Sequence, residues 1–174
     1  MTKDEFWDHI RATRRLDPDE HIERLSVRLA KLPEKEILSF GRWWETLDAK
    51  GYTWKLWGAA YLINGGCSDD GFDYFRRWLL LQGRKVYEAA LKNPDSLAAV
   101  LDGEGEVEVG SNPAYDAYTA ITGREGYYEA LQARYTKLQL ALPDLGDGWD
   151  FEDDAQMRKR YPRLFAAYAG EETD

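Results

Sequence analysis

"TWKLWGAAYLINGGCSDDGFDYFRRWLLLQG", Thr53 to Gly83, decides the fold. Its first part puts Trp54, Trp57 and Tyr61 at helical spacings of three and four, with Leu56, Ala59, Ala60 and Ile63 filling the other sides. A helix apolar nearly all round belongs at the centre of a fold. Gly65-Gly66 ends it, and "DDGFDYFRRWLLLQG" restarts with Phe72, Phe75 and Leu79 on one face and Tyr74, Trp78 and Leu81 on another. Two successive apolar helices without strand-like alternation predict an all-α protein.

The N-terminal flank agrees. Thr2 and Glu5 form a capping box ahead of Phe6, Ile10 and Thr13 or Arg14, with Trp7 beside them. Asp17-Pro18 caps a second helix to about Lys31, whose face is Ile22, Leu25, Leu29 and Leu32 with Val27 flanking. Pro33 opens "PEKEILSFGRWWETLDAKG", with acids in the first turn and Gly51 placed to end it in a left-handed conformation.

On the C-terminal side, "KVYEAALK" predicts a helix with Val86, Ala89 and Ala90 as contacts, and "PDSLAAVL" adds about two turns. "DGEGEVEVG" carries Asp102, Glu104, Glu106 and Glu108 with no cation, so repulsion and glycine predict an exposed loop. Val107 and Val109 alternate with the acids and allow at most a short edge strand there. "NPAYDAYTAITG" follows, then "REGYYEALQARYTKLQLAL" with Tyr128, Leu131, Tyr135 and Leu138 on one face. A second acidic loop covers Pro143 to Asp154, and in "AQMRKRYPRLFAAYAG" Pro162 must open or kink a helix. The expectation is a single-domain helical bundle of roughly seven to nine helices, several short, with an aromatic-rich core.

The totals bound function. The 174 residues are 44 % hydrophobic and 32 % charged, which suits one folded domain. A net charge of −9 argues against general nucleic-acid or membrane-surface binding and favours a protein or peptide partner of basic character. One cysteine, Cys67, excludes an intramolecular disulfide, and with only His9 and His21 it cannot build a closed Cys/His zinc site. The N-terminus lacks a signal-peptide core and no stretch reaches membrane-span length, so a cytoplasmic, soluble protein is expected. Neither the partner nor the oligomeric state is readable.

Eleven of the 24 aromatic residues fall between Phe40 and Trp78. Consecutive Trp43 and Trp44 are ~100° apart on a helix, so one of them lies at a rim or groove. Such a rim is either ordinary core filling or an aromatic groove for a ligand or peptide.

Phe6-Trp7-Asp8-His9-Ile10, then Ser68-Asp69-Asp70-Gly71-Phe72 through Phe75-Arg76-Arg77-Trp78-Leu79, then Gly83-Arg84 through Tyr87, Ala90, Leu91, Pro94, Asp95 and Leu97, form a recognisable series. On these motifs the chain resembles the bacterial family known as domain of unknown function 4240, over approximately residues 2–138. The resemblance implies small, soluble, mostly helical proteins without an established activity to carry over. It divides the chain into a family-like helical domain, residues 1–140, and an addition, residues 141–174, of acidic loop and amphipathic helix packed on the same domain.

The sharpest chemistry is D-D-x-x-D: Asp69, Asp70 and Asp73. Such carboxylates can hold Mg²⁺, which bridges to substrate phosphates, giving a divalent-metal-dependent phosphate-ester hydrolase as one reading. At a helix start, however, Ser68 or Asp69 as cap with the acids in the first turn is favourable on electrostatic grounds alone. Arg76, Arg77 and Arg84 are near enough to pair with them. Cys67 gains thiolate character from the helix start and loses it to Asp69 and Asp70, and His9 and His21 read as surface or rim residues. The preferred reading is a non-enzymatic binding or regulatory module without a cofactor, with Trp43, Trp44, Asp69, Asp70, Asp73 and Arg76 on its binding surface.

Overall fold

The computed structural model describes residues 1–101 and 107–169. Asp102, Glu104 and Glu106 of the first acidic loop lie outside the described residues. In chain order the helices are α1 (Lys3–Ala12), α2 (Pro18–Leu29), α3 (Glu34–Gly51), α4 (Trp54–Asn64), α5 (Asp69–Leu81) and α6 (Arg84–Lys92). A 3₁₀ segment (Pro94–Ala99) follows, then α7 (Pro113–Thr122), α8 (Tyr127–Arg134), α9 (Asp154–Arg160) and α10 (Pro162–Tyr168). The described residues contain helices and no strand. These eleven segments exceed the seven to nine expected, partly because Pro162 divides the terminal piece in two. No helix among the described residues is long and apolar enough to cross a membrane.

The chain divides into two compact units, Met1–Lys50 with Val109–Leu142 and Gly51–Glu108 with Pro143–Asp174. In the first unit the helix starts follow their caps. Thr2 accepts from the Glu5 amide while Glu5 accepts from the Thr2 amide, and Asp17 accepts from the Glu20 amide at 2.8 Å. Phe6, Trp7, Ile10, Ile22, Leu25, Leu29, Phe40 and Trp44 are buried, with the Phe6 and Phe40 rings 4.6 Å apart. Gly41 is needed because the Tyr127 hydroxyl of α8 occupies the place of a Cβ. His21 is not a rim residue: it is buried, and its Nε2 lies 3.0 Å from the Ile10 carbonyl oxygen. His9 is half-buried, and its Nδ1 accepts from Arg28 Nε at 3.0 Å.

Two sequence expectations fail in this unit. The helix expected to run on through Leu138 stops at Arg134, which leaves Tyr135 and Leu138 beyond its end and only half-buried, and Tyr128 within it is exposed. Val109 is buried although it follows the acidic stretch, because an apolar side chain gains more from the core than its neighbours' charges oppose.

In the second unit α4 is central, as its composition predicts: Lys55 is its only exposed residue, and it packs against α5, α10 and the 3₁₀ segment. Gly65 ends it at φ +64°. Gly51 behaves otherwise than expected. It is the last helical residue of α3 and has no positive φ, and a Cβ there would meet the Arg76 side chain at 3.4 Å, an ordinary van der Waals contact. On α6, Tyr87 and Ala90 rather than Val86 and Ala89 are buried. Val107 is buried and its amide donates to Asn64 Oδ1 at 3.1 Å, again against the exposed-loop reading.

Three long-range hydrogen bonds tie down the C-terminal helices. Tyr161 Oη donates to the Lys55 carbonyl at 2.8 Å, and its ring takes the space a side chain at Gly58 would need. Buried Asp95 accepts from the Arg163 and Leu164 amides at 3.0 and 2.9 Å, capping α10, whose own N-cap residue supplies no side chain. An orphaned helix N-terminus beside a buried carboxylate is costly to leave unpaired. Asp95→Ala therefore lowers unfolding free energy by about 1–3 kcal/mol in urea titrations, and Asp95→Asn, which keeps the acceptor, by less.

Burial holds His21 below its ordinary pKa of 6.5, against an opposing contribution from the Ile10 carbonyl, and burial with the Arg28 charge lowers His9. The unfolded chain thus binds protons more readily. Stability is full above about pH 6.5 and is lost as pH falls through 6.5 towards the folded values. Urea midpoints taken from pH 7.5 to 5.5 fall with acidification, and the slope is shallower in His21→Gln.

Candidate functional site

Ser68 answers the question of the aspartates. It is the N-cap of α5: its Oγ accepts from the Gly71 amide at 3.1 Å and its carbonyl from the Phe72 amide at 2.8 Å. Asp69 and Asp70 follow as the first two helical residues, exposed, at the positive end of the helix dipole. Asp73 sits one turn on and accepts from Arg76 Nη2 at 2.7 Å. Among the described residues no three His, Cys, Asp or Glu side chains come together to hold a metal ion.

Arg76 is 2 % exposed, with its guanidinium carbon 4.9 Å from both the Tyr52 and the Phe72 ring centroids. A cation taken this far from water must be paired and hydrogen-bonded. Arg84 instead pairs with Glu88 at 2.9 Å, and Arg77 lies over the Tyr74 ring. Cys67, in the turn before α5, has its thiol pushed up to about 12 by burial and then by Glu108, with Asp69 adding to it. A thiol so disposed is not a nucleophile at neutral pH.

The residues expected on a binding surface are therefore scattered. Trp44 is buried and stacked on Phe40 at 6.1 Å because a large apolar ring gains from the core, and Arg76 is interior, paired with Asp73 and close to two aromatic rings. Neither presents a surface. Trp43 is the half-buried member of its pair; its Nε1 donates to the Met1 carbonyl at 3.2 Å, and Arg42 lies over its ring. Asp69 and Asp70 are exposed, and Asp73 partly so.

The aromatic side of α4 is covered by the chain itself. Trp54 and Trp57 stack at 5.4 Å, and Trp57 stacks on Phe72 at 4.8 Å. Over them runs the second acidic loop: Phe151 meets Trp54, Trp57 and Tyr61, and Trp54 Nε1 donates to the Leu145 and Gly146 carbonyls at 3.2 Å. Gly148 is so close to the Trp54 indole that a Cβ would meet it at 2.7 Å. The acids of this loop cap local backbone: Asp144 accepts from Gly146, Asp150 from Glu152 and Asp153 from Gln156.

Where this loop reaches the end of α4, a pocket of about 450 Å³ opens within the second unit. Tyr61, Phe151 and Tyr168 supply aromatic rings, Glu152 and Asp154 supply carboxylates, Leu62, Gly65 and Ala169 complete it, and no cation lines it. Its residues were missed in the sequence because the loop reads as solvated. The available signal was the interleaving of Trp149 and Phe151 among the acids, since large aromatics in a solvated loop need something to cover.

Helical architecture, the Ser68-capped motif and the buried Arg76 define a helical protein whose signature stretch opens on a helix cap and buries an arginine. The model of the family described as protein of unknown function (DUF4240) matches residues 1–129, and the chain belongs to that family. Comparisons with curated proteins and with solved structures gave no match.

If the aspartates serve the helix start, Ser68→Ala costs about 1 kcal/mol and Asp69→Asn only a few tenths. Chemical denaturation of the two variants checks the order.

Proposed function

We propose that this protein is a binding module whose acidic, aromatic-lined pocket takes a lysine or arginine side chain from a basic protein or peptide partner. The observation that carries this reading is the pocket's composition: three aromatic rings and two carboxylates, with no cation. Aromatic faces attract cations by their quadrupole, and carboxylates complete the recognition with charge-assisted hydrogen bonds. The charge distribution supports it. By sequence the first unit holds 13 basic and 14 acidic side chains, whereas the second holds 10 basic and 18 acidic, so the chain's negative field centres on the unit that carries the pocket. Exposed Asp69 and Asp70 belong to the same unit and add to its attraction for a basic segment. The role is non-enzymatic in this reading.

A displayed library of short Lys- and Arg-containing peptides tests it. Wild type enriches basic peptides, with affinity that falls as salt rises. Glu152→Gln with Asp154→Asn, both at exposed positions, abolishes the enrichment while the melting temperature holds. Equal capture by the variant, or no enrichment by wild type, refutes the proposal.

A further inference from the structure

The first unit contains the opposite kind of pocket. Arg42 and Thr46 of α3 face the turn that follows α8, where Arg134, Tyr135, Thr136 and Lys137 line about 400 Å³ together with Leu138. Three cations converge there, and no carboxylate lines the space. Among the described residues, none of Arg42, Arg134 and Lys137 forms an ion pair. Glu45, the acid nearest to Arg42 along the helix, is taken by Asn112, whose Nδ2 donates to it at 2.8 Å.

The two arginines are placed rather than loose. The Arg42 guanidinium carbon lies 4.5 Å from the Trp43 ring centroid and 5.1 Å from that of Tyr135. Rings thus hold the guanidinium faces, and its Nε–H is buried without a protein acceptor. Arg134 approaches the same Tyr135 ring at 5.7 Å, so two guanidinium groups share one aromatic ring. Like charges gathered around a pocket repel unless an anion lies between them. The Thr46 hydroxyl is committed as donor to the Arg42 carbonyl at 2.6 Å, which leaves Tyr135 and Thr136 as the lining residues with hydroxyl donors.

The geometry points to a site for the phosphate group of a small phosphorylated molecule. Three positive charges are matched better by a phosphate monoester, with a charge of about −1.5 to −2 at pH 7, than by a single carboxylate. Guanidinium groups and a lysine arriving from separate positions suit an anion with several oxygens, and the volume is that of a small-molecule pocket. The site is independent of the acidic pocket in residues and in charge.

Calorimetric titration at constant ionic strength tests the assignment, with inorganic phosphate, glycerol phosphate and succinate as probes. Wild type binds inorganic phosphate and glycerol phosphate saturably at one site, the ester at least as tightly. Arg134→Gln with Lys137→Gln, both exposed and away from the core, weakens that binding at least tenfold without changing the unliganded melting temperature. Absence of saturable phosphate binding, equal binding by the double variant, binding of inorganic phosphate but not the ester, or succinate binding as tight as phosphate overturns the proposal.

Discussion

A buried guanidinium organises the second unit. Arg76 is almost wholly removed from water, and each feature around it answers that condition. Asp73 supplies a carboxylate oxygen at 2.7 Å, the Tyr52 and Phe72 ring centroids both lie 4.9 Å from its guanidinium carbon, and Gly51 lies beside its methylenes. Charge in an interior is tolerated only when partners replace the lost hydration, so these residues stand or fall together. The position of Asp73 follows from this, since three residues on one helix face brings carboxylate and guanidinium together. The D-D-x-x-D letters thus divide into two tasks, dipole complement for Asp69 and Asp70 and ion pairing for Asp73.

The same economy of polar groups recurs at the C-terminal helices. Asp95, from the P-D-x-L element of the family-like series, caps a helix that lies beyond residues 1–129. Tyr161 and Phe151 then cover a helix whose aromatic side would otherwise meet water. What stays open is the end of that covered side, where acids and rings meet. The first unit keeps its uncompensated cations instead, around Tyr135.

Much of this was legible locally. The caps at Thr2, Asp17 and Ser68, the stop at Gly65 and the centrality of α4 follow from side chains acting within a few residues of one another. What the sequence did not reveal depends on partners far along the chain. His21 reads as polar surface until Ile10 offers a carbonyl. Asp95 reads as part of a short helical piece until the residues after Pro162 bring unsatisfied amides to it. The α8 pattern runs past Arg134 because periodicity records where apolar residues fall, not whether a neighbour covers them. Both pockets were missed for this reason, being assembled from segments separated in sequence.

The central claim is that Asp73 of the signature serves architecture through Arg76, and Asp73→Ala measures it. Removing the carboxylate leaves a buried cation short of a partner, so urea denaturation at neutral pH shows a loss of about 1–3 kcal/mol, discounted for the partial exposure of Asp73. An Asp73→Ala protein as stable as wild type, within a few tenths of a kcal/mol, contradicts the account.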